Sequence, residues 1–207
     1  MAAWKSVRRA LAFLIVAACS FACAVRGAEG PAVVRQIGPF ALRDIEGKAV
    51  TRDAWRASKA VLLFFVGAEC PVSNGYAPLM QRAAVKYARQ GVACYAVHCD
   101  PTMTAEAAAR HAREYGLGFC VVLDPAQALA APAGVRVTPE AVVVSPAGKV
   151  LYRGRIDNRY APDGKRRDEP TARDLETALD AVLSGARPAV SETEAFGCPL
   201  PKPKPGS

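Results

Sequence analysis

Residues 61–66, Val-Leu-Leu-Phe-Phe-Val, are six apolar positions without a polar break. This is the pattern of a strand buried on both faces, as parallel strands of α/β domains are. Gly67 ends the run. After Cys70-Pro71, a segment reaching to about residue 90 places Tyr76, Met80, Ala84 and Tyr87 on one face at near-helical spacing, with Gly91 as a stop. That stripe reads as core, not as a cofactor-binding face, and Pro78 within it predicts a kink. Residues 92–98 alternate and predict a second parallel strand. A helix follows over 103–115, with Thr102 or Thr104 as N-cap and Gly116 as terminator. Residues 119–123 predict a further strand, closed by Asp124-Pro125, and a short alanine-rich helical piece leads to Val137-Thr138-Pro139. Residues 141–144 and 150–155 predict a hairpin around the type I turn Ser145-Pro146-Ala147-Gly148. The last helix, 172–183, opens on Thr171-Ala172-Arg173-Asp174 as a capping box and buries Leu175, Leu179, Val182 and Leu183. Upstream, Phe40, Leu42 and Ile45 predict a short strand, Glu46-Gly47-Lys48 a tight turn, and Trp55 a short helical segment. Strands and helices in this order predict a three-layer α/β domain.

The ends of the chain read differently. Residues 1–28 have the form of an export signal, with a basic start (Lys5, Arg8, Arg9) and an apolar run over 11–18 too short to span a bilayer. Ala22 and Ala24 suit cleavage after Ala24. A second reading takes Val16-Ala17-Ala18-Cys19 as a lipobox, with Cys19 lipidated and the protein tethered to a membrane. Residues 29–186 form the domain. Residues 187–207, which carry Cys198, read as an irregular, proline-rich tail. Loss of residues 1–28 removes Lys5, Arg8, Arg9 and Arg26 and no acidic residue, so the net charge falls from +8 to +4. Lys165-Arg166-Arg167 is offset by Asp163, Asp168 and Glu169 and reads as a solvated loop. A nucleic-acid partner is not expected.

Seven cysteines are present, and Cys70, Cys94, Cys99, Cys120 and Cys198 lie beyond the signal. Export to an oxidising compartment favours pairing, and an odd count leaves a thiol over. Cys70 stands where a buried strand gives way to a helix, with Pro71 suited to the first helical position. There the N-terminal N–H groups and the helix dipole lower a thiol pKa from about 8.5 towards 7 or below. Glu69 opposes this by like-charge repulsion.

Three markers, taken together and in order, resemble the thioredoxin superfamily, in particular exported redoxins of the TlpA-like and AhpC/TSA type. They are Phe40-x-Leu42-x-Asp44-x-x-Gly47-Lys48, the strand ending in Cys70-Pro71-Val72-Ser73, and Thr138-Pro139 before the hairpin. The resemblance covers roughly residues 36–183. It implies a thioredoxin-like fold with a central mixed sheet flanked by helices, and a cis Pro139 whose loop packs against the active-site cysteine. Pro71, Thr138 and Pro139 would shape the substrate groove. It further implies thiol–disulfide exchange with Cys70 as nucleophile, a protein or small-thiol redox partner, and no cofactor or metal. The same chemistry extends to peroxide reduction through a sulfenic acid at Cys70.

Two departures stand out. Ser73 replaces the second cysteine of Cys-x-x-Cys, so it can hydrogen-bond a thiolate but cannot resolve a mixed disulfide. Gly67 stands where peroxiredoxins carry the threonine that orients peroxide. The resolving role is open between Cys198, in the compact motif Phe196-Gly197-Cys198-Pro199, and Cys99, expected beside His98 at the neighbouring strand end. Cys94 and Cys120 read as small core residues. An alternative function is Sco-like copper binding and delivery, with Cys70, His98 and Cys99 converging on Cu(I). Arg153, Arg155, Asp157 and Arg159 cluster beyond the last strand as an ion-pair ladder or an anion contact.

Overall fold

The structure is a computed structural model that describes residues 35–161 and 164–203. Residues 1–28, expected as an export signal, and with them Cys19, lie outside the described residues. In chain order the elements are β1 (Ala41–Asp44), β2 (Ala49–Thr51), a 3-10 turn (Arg52–Trp55), β3 (Ala60–Val66), α1 (Pro71–Ala88), β4 (Val92–His98), α2 (Ala105–Tyr115) and β5 (Cys120–Leu123). Then come α3 (Ala130–Ala133), β6 (Val137–Thr138), β7 (Glu140–Val144), β8 (Val150–Gly154), α4 (Asp174–Leu183) and β9 (Cys198–Pro199).

Seven strands form one mixed sheet in the order β2-β1-β5-β4-β3-β7-β8. The uninterrupted apolar run makes β3 an interior strand, and every one of its residues is buried. It pairs parallel with β4 and antiparallel with β7. Alternate side chains of β3 enter two separate cores. Leu62, Phe64 and Val66 pack with Tyr76, Met80 and Tyr87 of α1, Ala108 and Ala112 of α2, and Leu175 and Leu179 of α4. Val61, Leu63 and Phe65 pack with Trp55, Leu129, and Ala130 and Ala133 of α3. The three long helices therefore share one face, and the other is covered by a thinner layer. Full burial of Phe64 and Phe65 contributes about 2–3 kcal/mol each.

Local signals set most boundaries. Thr104 caps α2 by accepting from the Ala107 N–H, and Gly116 ends it with φ 69°, a conformation that favours glycine. α1 continues through Pro78 to Ala88. Two expectations are corrected. α4 has no capping box: its N-cap is Arg173 without a side-chain cap, and the Thr171 hydroxyl instead accepts from Asn158 Nδ2 at 2.7 Å. The segment after α4 is not irregular throughout. The Arg153 N–H donates to Ser191 O, the Thr193 N–H donates to Arg153 O, and β9 pairs antiparallel with β6. Its prolines do not prevent this, because a proline carbonyl still accepts and β9 lies on a two-stranded edge.

Candidate active site

Cys70 is the N-cap of α1. Its backbone is extended, Pro71 occupies the first helical turn, and the Ser73 N–H points at Cys70 Sγ at 3.5 Å. The part of Ser73 that reaches the sulfur is thus its backbone. Its hydroxyl accepts from the Gly67 N–H at 3.2 Å, closing the turn between β3 and α1. The next residue braces the same turn, since Asn74 Nδ2 donates to Ala68 O at 2.8 Å.

The Thr138–Pro139 peptide is cis. The Thr138 carbonyl oxygen lies 3.1 Å from Cys70 Sγ, an acceptor for the thiol when protonated. Gly67 permits this approach. A Cβ there would stand 2.7 Å from Thr138 Oγ1 and 3.2 Å from Cys70 Cβ, so the threonine of peroxiredoxins has no room while the Pro139 loop is seated.

Cys198 arrives from the C-terminal segment and forms a disulfide with Cys70, the Cα atoms 5.9 Å apart across 128 residues of sequence. Three attachments bring it there. At the first, Thr193 Oγ1 meets the Tyr152 hydroxyl at 2.7 Å, and Glu192 pairs with Arg153 and, at 2.7 Å, with Arg35. Arg153 is itself buried, and its other nitrogen holds Glu140, the residue after Pro139, at 2.5 Å. At the second, the Phe196 ring stacks on Tyr160, centroids 6.0 Å apart and planes 14° apart. At the third, Cys198 and Pro199 pair with Thr138 and Val137. Gly197 is required at this crossing, because a Cβ would collide with the Thr138 carbonyl and Pro139 N. Sequence reasoning passed over Glu192 and Gly197, although Gly197 lies inside the compact motif that drew notice to Cys198. With the segment seated, Cys70 is only 2% exposed, whereas Cys198 is partly open.

Beside the disulfide lies a cavity of about 140 Å³ bordered by His98, Cys99, Asp100, Met103 and Leu200. Cys70, His98 and Cys99 all border it, but the two from the strand end diverge. Cys99 joins the core under α3, with Sγ 3.9 Å from Asp124 Oδ2. His98 turns to the helical face, its ring 5.0 Å from that of His111. Among the described residues no group of three or more His, Cys, Asp or Glu side chains is placed to hold a metal ion. Burial depresses the His98 pKa to about 4, aided by His111 and opposed by Asp100. His111, also held down by burial, reaches Asn74 Oδ1 at 2.9 Å. Because Asn74 Nδ2 already donates to Ala68, that contact is a donation from His111 Nε2, and it ties α2 to the Cys70 turn.

Among the described residues the remaining cysteines, Cys94, Cys99 and Cys120, are free. Burial pushes the Cys94 thiol up to about 12 and raises that of Cys99, where Asp124 adds to the effect. Cys120 is only half-buried but is also raised by desolvation. All three are held as neutral thiols, which are poor nucleophiles. The arginine ladder divides: Arg153 binds Glu140 and Glu192, Arg155 forks onto Asp174 at 2.7 and 3.0 Å, and the Arg159 side chain finds no carboxylate among the described residues.

A strand–turn–helix cysteine facing a cis-proline loop across a mixed sheet defines a thioredoxin-like protein. The family model for AhpC/TSA matches residues 33–153, more than half of the chain, and the chain belongs to the AhpC/TSA family. It is 30% identical over 112 residues to the thiol-disulfide oxidoreductase ResA of Bacillus anthracis and of Bacillus thuringiensis (strain Al Hakam). That match takes in 54% of this chain and 63% of the length of those relatives. Among solved structures, a hypothetical protein from Sinorhizobium meliloti 1021 superposes with a TM-score of 0.72 at 27% identity, covering 86% of this chain and 97% of its own. The thioredoxin domain of a thiol-disulfide oxidoreductase from Bacteroides vulgatus matches with a TM-score of 0.50 at 19% identity, over 57% of this chain and 84% of its own, a likeness of fold alone.

Proposed function

We propose that the protein is an exported thiol–disulfide oxidoreductase in which Cys70 is the attacking thiolate and Cys198 the resolving thiol. The observation that carries this reading is the Cys70–Cys198 pair, seated between the N-terminus of α1 and the Thr138–Pro139 loop. The relatedness to ResA supports the same chemistry. In the reduced protein, Cys70 as thiolate attacks one sulfur of a partner disulfide. A Cys70–partner bond forms, and the partner's second sulfur leaves as thiolate and takes up a proton. Cys198, deprotonated, then attacks Cys70 Sγ. The Cys70–Cys198 bond forms and the first partner sulfur leaves, so the partner gains two electrons and two protons and this protein loses them. An external dithiol resets the pair. With the C-terminal segment seated, the sulfur it meets is that of Cys198, and Cys70 leaves as a thiolate facing the Ser73 N–H. No cofactor enters this cycle. The basic, apolar start of the chain supports export to a periplasmic or envelope compartment with cleavage after Ala24; the lipobox is the alternative, with Cys19 carrying a lipid anchor.

Peroxide reduction and copper delivery have less support. The first lacks room for the threonine at position 67, and the second needs side chains that here diverge. Non-reducing peptide mapping of the air-oxidised protein tests the proposal, together with reduction of a model protein disulfide by wild type and Cys70→Ser. A Cys70–Cys198 linked peptide and an inactive variant are expected. Recovery of Cys70 unlinked, or undiminished activity in Cys70→Ser, overturns it.

A further inference from the structure

Away from the two sulfurs, three cationic side chains converge on one hollow. Arg82 from α1, and Arg159 and Arg166 from the connection between β8 and α4, line a cavity of about 420 Å³ whose remaining wall is apolar or aromatic, including Tyr76 and Tyr160. Among the described residues, no carboxylate lines it. None of the three guanidinium groups has an ion-pair partner among the described residues, and Arg159 Nε is buried without any hydrogen-bond partner. Asp157, two residues before Arg159, is committed elsewhere. Asp157 accepts from the Tyr76 hydroxyl at 2.5 Å and from the Arg159 backbone N–H at 2.9 Å. It faces a neighbouring cavity, which Arg82 and Arg159 also border and which holds Glu169 and Glu176.

Positive charge gathered without a counter-ion is stabilised by an anion whose oxygens accept from the guanidinium N–H groups. Guanidinium forks match the paired oxygens of phosphate or carboxylate, and the Tyr160 hydroxyl, without a partner among the described residues, adds a donor. We propose that this hollow is a binding site for a small, multiply charged oxyanion of the phosphate class. Its wall is also the seat of the C-terminal segment, because Tyr160 is the ring on which Phe196 stacks. The site does not depend on the exchange chemistry and is tested separately from it.

The test is calorimetric titration of the full-length protein with sodium phosphate, and thermal unfolding in phosphate against sodium chloride at matched ionic strength. Saturable binding at one site and a midpoint that rises with phosphate are expected. In the double variant Arg82→Ala, Arg166→Ala, both at exposed positions, affinity falls about a hundredfold, roughly tenfold for each guanidinium removed. Its midpoint in chloride stays at the wild-type value. Arg159→Lys, which keeps the charge and loses the fork, weakens binding about tenfold. A response to phosphate no larger than to chloride, or equal affinity in the double variant, overturns the site.

Discussion

Cys70 takes its position from its immediate neighbours: Gly67, whose N–H meets Ser73; Pro71, which opens the helix; and Asn74, which ties back to Ala68. Cys198 takes its position from Thr138, Arg153 and Tyr160, residues far back in the chain. The first arrangement is local, and little in it depends on paired charge. The second is a strap laid over a finished sheet and fastened to a buried arginine through a half-exposed glutamate. One chain thus supports a fixed sulfur and a delivered one, and the two should fail under different insults.

Removing the delivered sulfur has the largest expected effect. Cys198→Ser leaves Cys70 joined to its partner, so turnover stops and a mixed disulfide accumulates on non-reducing gels. Loss of a bridge that closes so long a loop also removes about 2–5 kcal/mol of stability in the oxidised protein. The fastening comes next. Arg153→Met strands Glu140 as an uncompensated buried charge and lowers stability by about 3–5 kcal/mol. Glu192→Gln breaks only the half-exposed arm of the same network, for less than about 1 kcal/mol. Urea midpoints of the reduced proteins separate the two, and a larger loss in Glu192→Gln would mean that the strap, not the sheet, depends on Arg153.

Acid probes the fixed side. Folding lowers the His98 pKa from 6.5 to about 4, so between those values the unfolded chain binds the extra proton. The native state keeps its full advantage above about pH 6.5 and loses it as pH falls towards 4, by about 3 kcal/mol in all. His98→Leu should flatten that part of a stability-against-pH curve, and an unchanged slope would assign the loss to other groups. The smallest effect is expected at Ser73. Ser73→Ala leaves the Gly67 N–H without its acceptor, for about 1 kcal/mol. The alkylation rate of Cys70 at neutral pH stays close to wild type, because the N–H facing the sulfur remains.

What could be read from residues alone follows the same division. β3, α1, β4 and α2 announce themselves through an unbroken apolar run, a helical stripe, a threonine cap and a terminating glycine, all of which act over a few residues. Cys70 could be placed at a helix N-terminus for the same reason. The strap could not, because nothing within residues 187–203 names the edge it pairs with, and its prolines speak for irregular backbone. Thr171 misled for a related reason: Asn158, distant in sequence, took the hydroxyl that a capping box would have used. His98 and Cys99 stood side by side in the sequence as if to act together, yet adjacent strand positions project to opposite faces of a sheet.

The small β6–β9 sheet has a consequence for solubility. Thr138 and Val137 lend their backbone edge to the protein's own C-terminal segment, and one of the ties that keeps that segment in place is a bond that two electrons undo. An uncovered strand edge is a template on which another chain can assemble. Reduction therefore loosens the cover of a sticky margin at the same moment that it frees the Cys70 thiol, and self-association in concentrated solution should track the redox poise of the medium.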